Sequence, residues 1–124
     1  MKRILALGSL LLVLISCEKE KVIVGDSERL RFMEQEILAL IQDKACQGER
    51  VCGSIAFGSK PCGGPWKYLI YSLTPTDVEV LKEKVEDYNL LEAEVNSREG
   101  KISDCVAVTP PAVTCLDGTC GPMK

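Results

Sequence analysis

Val51-Cys52-Gly53-Ser54-Ile55-Ala56-Phe57-Gly58 and Trp66-Lys67-Tyr68-Leu69-Ile70-Tyr71-Ser72 flank the connector Ser59-Lys60-Pro61-Cys62-Gly63-Gly64-Pro65. Both flanks are apolar and carry the aromatic and β-branched residues that suit a pleated surface. The connector holds two prolines that fix the backbone and two glycines that free it, so it reads as a loop. A hairpin with a long connection follows, and the remaining elements are arranged around it. In the second strand Trp66, Tyr68 and Ile70 alternate with Lys67, Leu69 and Tyr71. Neither face is purely polar, which predicts a central strand.

Immediately downstream, Thr74-Pro75-Thr76-Asp77 reads as a helix start, with Thr74 as N-cap, Pro75 in the first turn and an acid three residues on. Val78, Leu81, Val85, Tyr88, Leu91/Glu92 and Val95 then keep helical phase, and Gly100 is a fitting stop. Glu79, Glu83, Glu86 and Asp87, with Lys82 and Lys84, form the solvated face of this helix. Before the hairpin, Leu30, Met33, Ile37, Leu40 and Ile41 trace a second apolar stripe. That helix is capped by Asp26 or Ser27 and ended by Gly48. After the second helix, Ile102 to Val108 reads as a strand, Pro110-Pro111 as a break, and Ala112 to Cys115 as another strand. Asp117-Gly118 is the pair favoured in a two-residue type I′ turn. The element order is α-β-β-α-β-β: a small disulfide-stabilised α+β domain with two helices packed on an antiparallel sheet.

The chain has 124 residues, 46% hydrophobic, with a formal charge of -3, which suits one globular domain and gives no electrostatic footprint for nucleic acid. There is no histidine, which removes Ser-His, Cys-His and His-zinc chemistry. No Ser-x-x-Lys motif occurs, and Gly63-Gly64 is followed by no phosphate-loop lysine. The sequence offers no catalytic constellation, no metal set and no cofactor motif.

The amino terminus carries a different signal. Lys2 and Arg3 precede an apolar run from Ile4 to Ile15, which as a helix spans about 18 Å and is too short to cross a bilayer. Charge and length are those of a secretory signal peptide. The run ends in Leu14-Ile15-Ser16-Cys17, which resembles the lipobox of bacterial lipoproteins. The resemblance implies cleavage after Ser16, lipidation of Cys17 and a lipid anchor in the bacterial envelope. Glu18, where an aspartate would favour inner-membrane retention, points by analogy to the outer membrane. The domains are then 1–16, signal peptide; 17–26, lipidated cysteine and tether; and 27–124, a single disulfide-rich α+β domain.

Of the seven cysteines, Cys46, Cys52, Cys62, Cys105, Cys115 and Cys120 remain after Cys17, an even set that reads as three disulfides in an oxidising compartment. If Leu116 and Thr119 flank the Asp117-Gly118 turn, Cys115 and Cys120 face each other as a non-hydrogen-bonded pair close enough for a bridge. Cys115–Cys120 is therefore expected. The other four pair as Cys46–Cys52 with Cys62–Cys105, or as Cys46–Cys105 with Cys52–Cys62.

Ile55 to Trp66, Ser103-Asp104-Cys105 and Pro110-Pro111 together resemble a pattern in small exported bacterial proteins, which implies a shared disulfide fold and no particular activity. The expected role is binding or display. The loop residues Lys60, Pro61, Gly63 and Gly64, with Trp66 at the base, form the candidate binding element. One version is a protease inhibitor offering Lys60 to an acidic pocket; another is an accessory subunit of an envelope complex. The expected partners are the membrane, through the lipid, and a protein or small molecule.

Overall fold

The computed structural model describes residues 25–124. The expected signal peptide, Cys17 and nearly all of the expected tether lie outside the described residues. Within them the order is α1 (Asp26–Leu40), β1 (Cys52–Phe57), β2 (Lys67–Ser72), α2 (Val78–Glu99), β3 (Val113–Leu116) and β4 (Thr119–Pro122). This is the α-β-β-α-β-β order of a mixed α+β domain, but the strands form two two-stranded antiparallel sheets rather than one.

The first sheet pairs Gly53 with Tyr71, Ile55 with Leu69 and Phe57 with Lys67. These residues share one face, and the helices cover it. Phe57, Leu69 and Tyr71 pack there with Ile37 and Ile41 from the α1 region and with Leu81, Val85 and Tyr88 from α2. Tyr71 lies directly over Gly53, so closely that a Cβ on Gly53 would come 2.6 Å from the ring. The aromatic ring covers backbone that the missing side chain leaves bare.

Among the described residues β2 is not central, because its ladder partner there is β1 alone. Its second face is apolar for another reason. The β3–β4 hairpin packs against the sheet, so burial comes from a further layer rather than a lateral neighbour. The hairpin itself closes as the sequence predicts. Leu116 pairs with Thr119 and Cys115 with Cys120, and Asp117 and Gly118 take φ of 50° and 77°, the left-handed values of a type I′ turn.

The disulfides overturn part of the expected pairing. Cys115 and Cys120 are cross-strand neighbours yet are not joined. Cys115 bonds Cys46, Cys120 bonds Cys52, and Cys62 bonds Cys105. Cys46–Cys52 and the alternative Cys46–Cys105 with Cys52–Cys62 are likewise absent. The cause is a third segment beside the hairpin. Cys120 N–H donates to Lys44 O at 2.9 Å and Cys46 N–H donates to Gly118 O at 3.0 Å. That pairing brings Cys46 to Cys115, with a Cα separation of 5.9 Å, while hairpin packing brings Cys120 within 5.6 Å of Cys52.

Four local expectations shift as well. Helix α1 starts at Asp26 with Gly25 in the cap position and no side-chain cap; the Asp26 carboxylate instead pairs with Arg98. It ends at Leu40, well before Gly48. Helix α2 is capped by Asp77, whose side chain accepts from Val80 N–H at 3.1 Å, and not by Thr74. Gly100 does end it, with φ of 61°. Residues 102–108 form no strand, and the Ile102 side chain is 93% exposed. Their backbone groups bond to side chains instead: Lys60 Nζ donates to Val106 O, Ser103 Oγ donates to Asp104 O, and Val106 N–H donates to Asp104 Oδ1.

Cleavage after Arg50, Phe57 and Lys101, before Val108 and before Asp117 puts each of the six cysteines on its own peptide. Mass mapping of such a non-reduced digest should recover Cys46–Cys115, Cys52–Cys120 and Cys62–Cys105. A product joining Cys115 to Cys120 would show that the hairpin is fastened differently.

Candidate functional site

The loop from Gly58 to Trp66 is held from three sides. Helix α2 supplies the first grip through Asn89, Glu92 and Asn96, which lie on one flank at helical spacing. Asn89 Oδ1 accepts from Gly58 N–H at 2.7 Å, and its Nδ2 donates to Ala56 O at 3.4 Å. Alternation turns the backbone groups of Cys52, Ser54 and Ala56 away from β2. The Asn89 carboxamide thus occupies the end of an otherwise open strand edge, which blunts it against stray pairing. Glu92 accepts from Ser59 N–H, Ser59 Oγ donates to Asn89 O at 2.7 Å, and Asn96 Nδ2 donates to Ser59 O at 2.7 Å.

The second grip is an ion pair. Lys60 is only 8% exposed, and its ammonium donates to Asp104 Oδ1 at 2.7 Å and to Val106 O at 2.9 Å. It also lies 5.5 Å from the centroid of the Trp66 ring, a cation–π distance. The ammonium, together with a backbone bond from Val106 N–H, holds the Asp104 carboxyl below its ordinary pKa. The third grip is covalent, the Cys62–Cys105 bridge.

Within the loop Lys60 N–H donates to Gly64 O and Gly63 N–H donates to Lys60 O, each at 2.8 Å. Gly63 and Gly64 have φ of 103° and 81°, which only glycine adopts without strain. Of the expected binding residues, Gly63, Gly64 and Trp66 are exposed, Pro61 is half-buried and Lys60 is buried. Lys60 therefore ties the loop down and is not presented to a pocket on another molecule.

No family model matches the chain, and neither a curated protein nor a solved structure matches it.

Beside the loop, an open groove of about 480 Å³ runs between β1 and α2, with Ile55, Ala56, Val85, Asn89 and Leu90 in its walls. Leu90 is 63% exposed there. Below the groove Tyr88 stacks on Phe57 with ring centroids 4.4 Å apart. Burial and the nearby Glu92 carboxylate push the Tyr88 phenol up to about 12. The sulfurs of Cys46, Cys52 and Cys120 cluster within 4.8 Å of one another, but all three are bonded in cystines and offer no thiolate. Among the described residues no helix is long and apolar enough to cross a membrane.

Sequence reading found the loop and missed what holds it. Asn89, Glu92 and Asn96 leave a signal, a polar stripe at i, i+3 and i+7 along one flank of an apolar helical series. Glu92 in particular falls in the apolar phase, where a carboxylate needs a partner.

Gly58 takes φ of +83°, and a Cβ there would lie 2.5 Å from the Trp66 ring and 3.0 Å from Glu92. Gly58→Ala should cost about 1–3 kcal/mol from backbone strain alone, measured by denaturant unfolding. Pairing lowers the folded Asp104 pKa, so its contribution is complete at neutral pH and is lost as pH falls through the lowered value. Asp104→Asn should therefore flatten part of the acid limb of the stability–pH curve, measured by denaturant unfolding across that range.

Proposed function

We propose that this chain is an exported, lipid-anchored ectodomain that works by binding rather than by turnover, with Cys17 as the lipidated residue. The observation that carries this reading is the closed set of bridges. The six cysteines from Cys46 to Cys120 are consumed by one another, and the seventh is Cys17 at the end of Leu14-Ile15-Ser16-Cys17. Cystines of this density belong to oxidising compartments, which supports export. A thioether to diacylglycerol uses the remaining thiol, and acylation of the new amino terminus adds a further chain. One acyl chain holds a protein only marginally at a bilayer, whereas two or three hold it stably.

Binding is favoured by the state of the loop. Gly58 to Trp66 is fixed by side-chain hydrogen bonds, an ion pair and a cystine before any partner arrives, so little conformational freedom is lost on contact. An inhibitor role through Lys60 draws no support from an enclosed ammonium. A role as accessory subunit of an envelope complex is favoured by the open groove beside β1 with Leu90 at its rim.

Intact mass of membrane-extracted protein, with and without reduction, tests the proposal. Loss of residues 1–16, added acyl mass and a gain of two hydrogens per bridge on reduction are expected. A full-length, unacylated chain with free thiols would refute it. Pull-down from solubilised membrane then separates the two binding roles, since a stoichiometric membrane protein favours the accessory subunit.

A further inference from the structure

The lipid anchor brings a bilayer close to the domain, and the described residues indicate which end meets it. Asp26, where the tether joins the fold, pairs with Arg98 in the last turn of α2. The chain from Cys17 to Asp26 reaches at most about 30 Å when fully extended. Helix α2 has 22 residues and is itself about 33 Å long. The opposite end of the molecule, where Thr74, Pro75 and Gly118 line one recess, is thus held farther from the anchor than the carboxyl end of α2.

The near end carries an unusual surface. Pro61 lies against Asn96, Gly100 and Lys101 at the end of α2, so the 58–66 loop belongs to this end. Around it stand Ile102, 93% exposed, Val106, 68% exposed, and Trp66, 42% exposed. Each borders the loop. Ile102 shares a cleft with Pro61 and Cys62, while Val106 O and the Trp66 ring both approach the Lys60 ammonium. The Cys62–Cys105 bridge and the Lys60–Asp104 pair pin the 101–106 segment to the loop, which prevents Ile102 and Val106 from turning into the core. The charges here are matched, Lys101 with Glu99 and Asp104 with Lys60, so the surface has no basic excess.

We infer that Ile102, Val106 and Trp66 form a foot that seats in the boundary between headgroups and acyl chains, and orients the domain on the membrane that holds it. Tryptophan favours that boundary, and branched aliphatic side chains enter its apolar side. The inference rests on the lipid-anchor reading.

Trp66 is the only tryptophan of the chain, so its fluorescence reports the seating directly. Acylated mature protein, beginning at Cys17, is reconstituted in zwitterionic vesicles whose acyl chains are brominated near the glycerol. Trp66 emission should be quenched and blue-shifted, and an equally acylated Ile102→Asp, Val106→Asp variant should lose both effects. Both side chains project into solvent, so the variant retains its fold, and the wild-type signal is decisive by itself. Acylated wild type with unquenched Trp66 overturns the seating and leaves the anchor standing. Unquenched emission with crosslinked dimers assigns this end to a second copy and likewise overturns it. An unacylated mass overturns the anchor and, with it, this orientation.

Discussion

The fold depends on two neighbouring cystines that fasten a short hairpin to the rest of the chain. Strands β3 and β4 have four residues each, and a two-stranded ribbon of that size is barely stable alone. Cys46–Cys115 and Cys52–Cys120 span 69 and 68 residues. By loop-closure entropy each is worth about 4 kcal/mol through the unfolded state, against about 2 for a bridge within the hairpin. That difference is large beside the net stability of a small domain, about 5–15 kcal/mol. Long-range pairing fixes the hairpin against β1 and the 44–46 segment at once, which a local bridge could not do.

Helix α2 organises the other half. One flank gives Leu81, Val85, Tyr88 and Val95 to the interior, and the adjacent flank gives Asn89, Glu92 and Asn96 to the loop backbone. The loop therefore inherits its shape from the helix. Its own Pro and Gly residues allow that shape without enforcing it. The Lys60–Asp104 pair and Cys62–Cys105 carry the constraint onward into a segment that has no secondary structure of its own.

The hairpin strands, the apolar phase of α2 and the Asp117-Gly118 turn were legible because each is set by local periodicity or by one turn pair. The pairing of Cys115 and Cys120 was not. Cross-strand adjacency fixed which cysteines are neighbours, but the bond partners depend on residues 44–46 arriving from far away. The strand expected over 102–108 fails for a similar reason. Its β-branched residues favour extension, yet the Lys60, Ser103 and Asp104 side chains take up backbone groups of Asp104 and Val106 that a ladder would use. Lys60 looked displayed because a lone charge in a Pro/Gly loop usually faces water; its partner, Asp104, lies 44 residues on.

The bridges also set how the molecule responds to damage. Cys46–Cys115, Cys52–Cys120 and Cys62–Cys105 overlap along the chain, so at least one of them straddles every peptide bond between Cys46 and Cys120. A single proteolytic nick in the exposed Gly63-Gly64 turn leaves both fragments covalently tethered, with the core still assembled around them. Durability against hydrolysis is thus a property of connectivity here, separate from the depth of the hydrophobic interior.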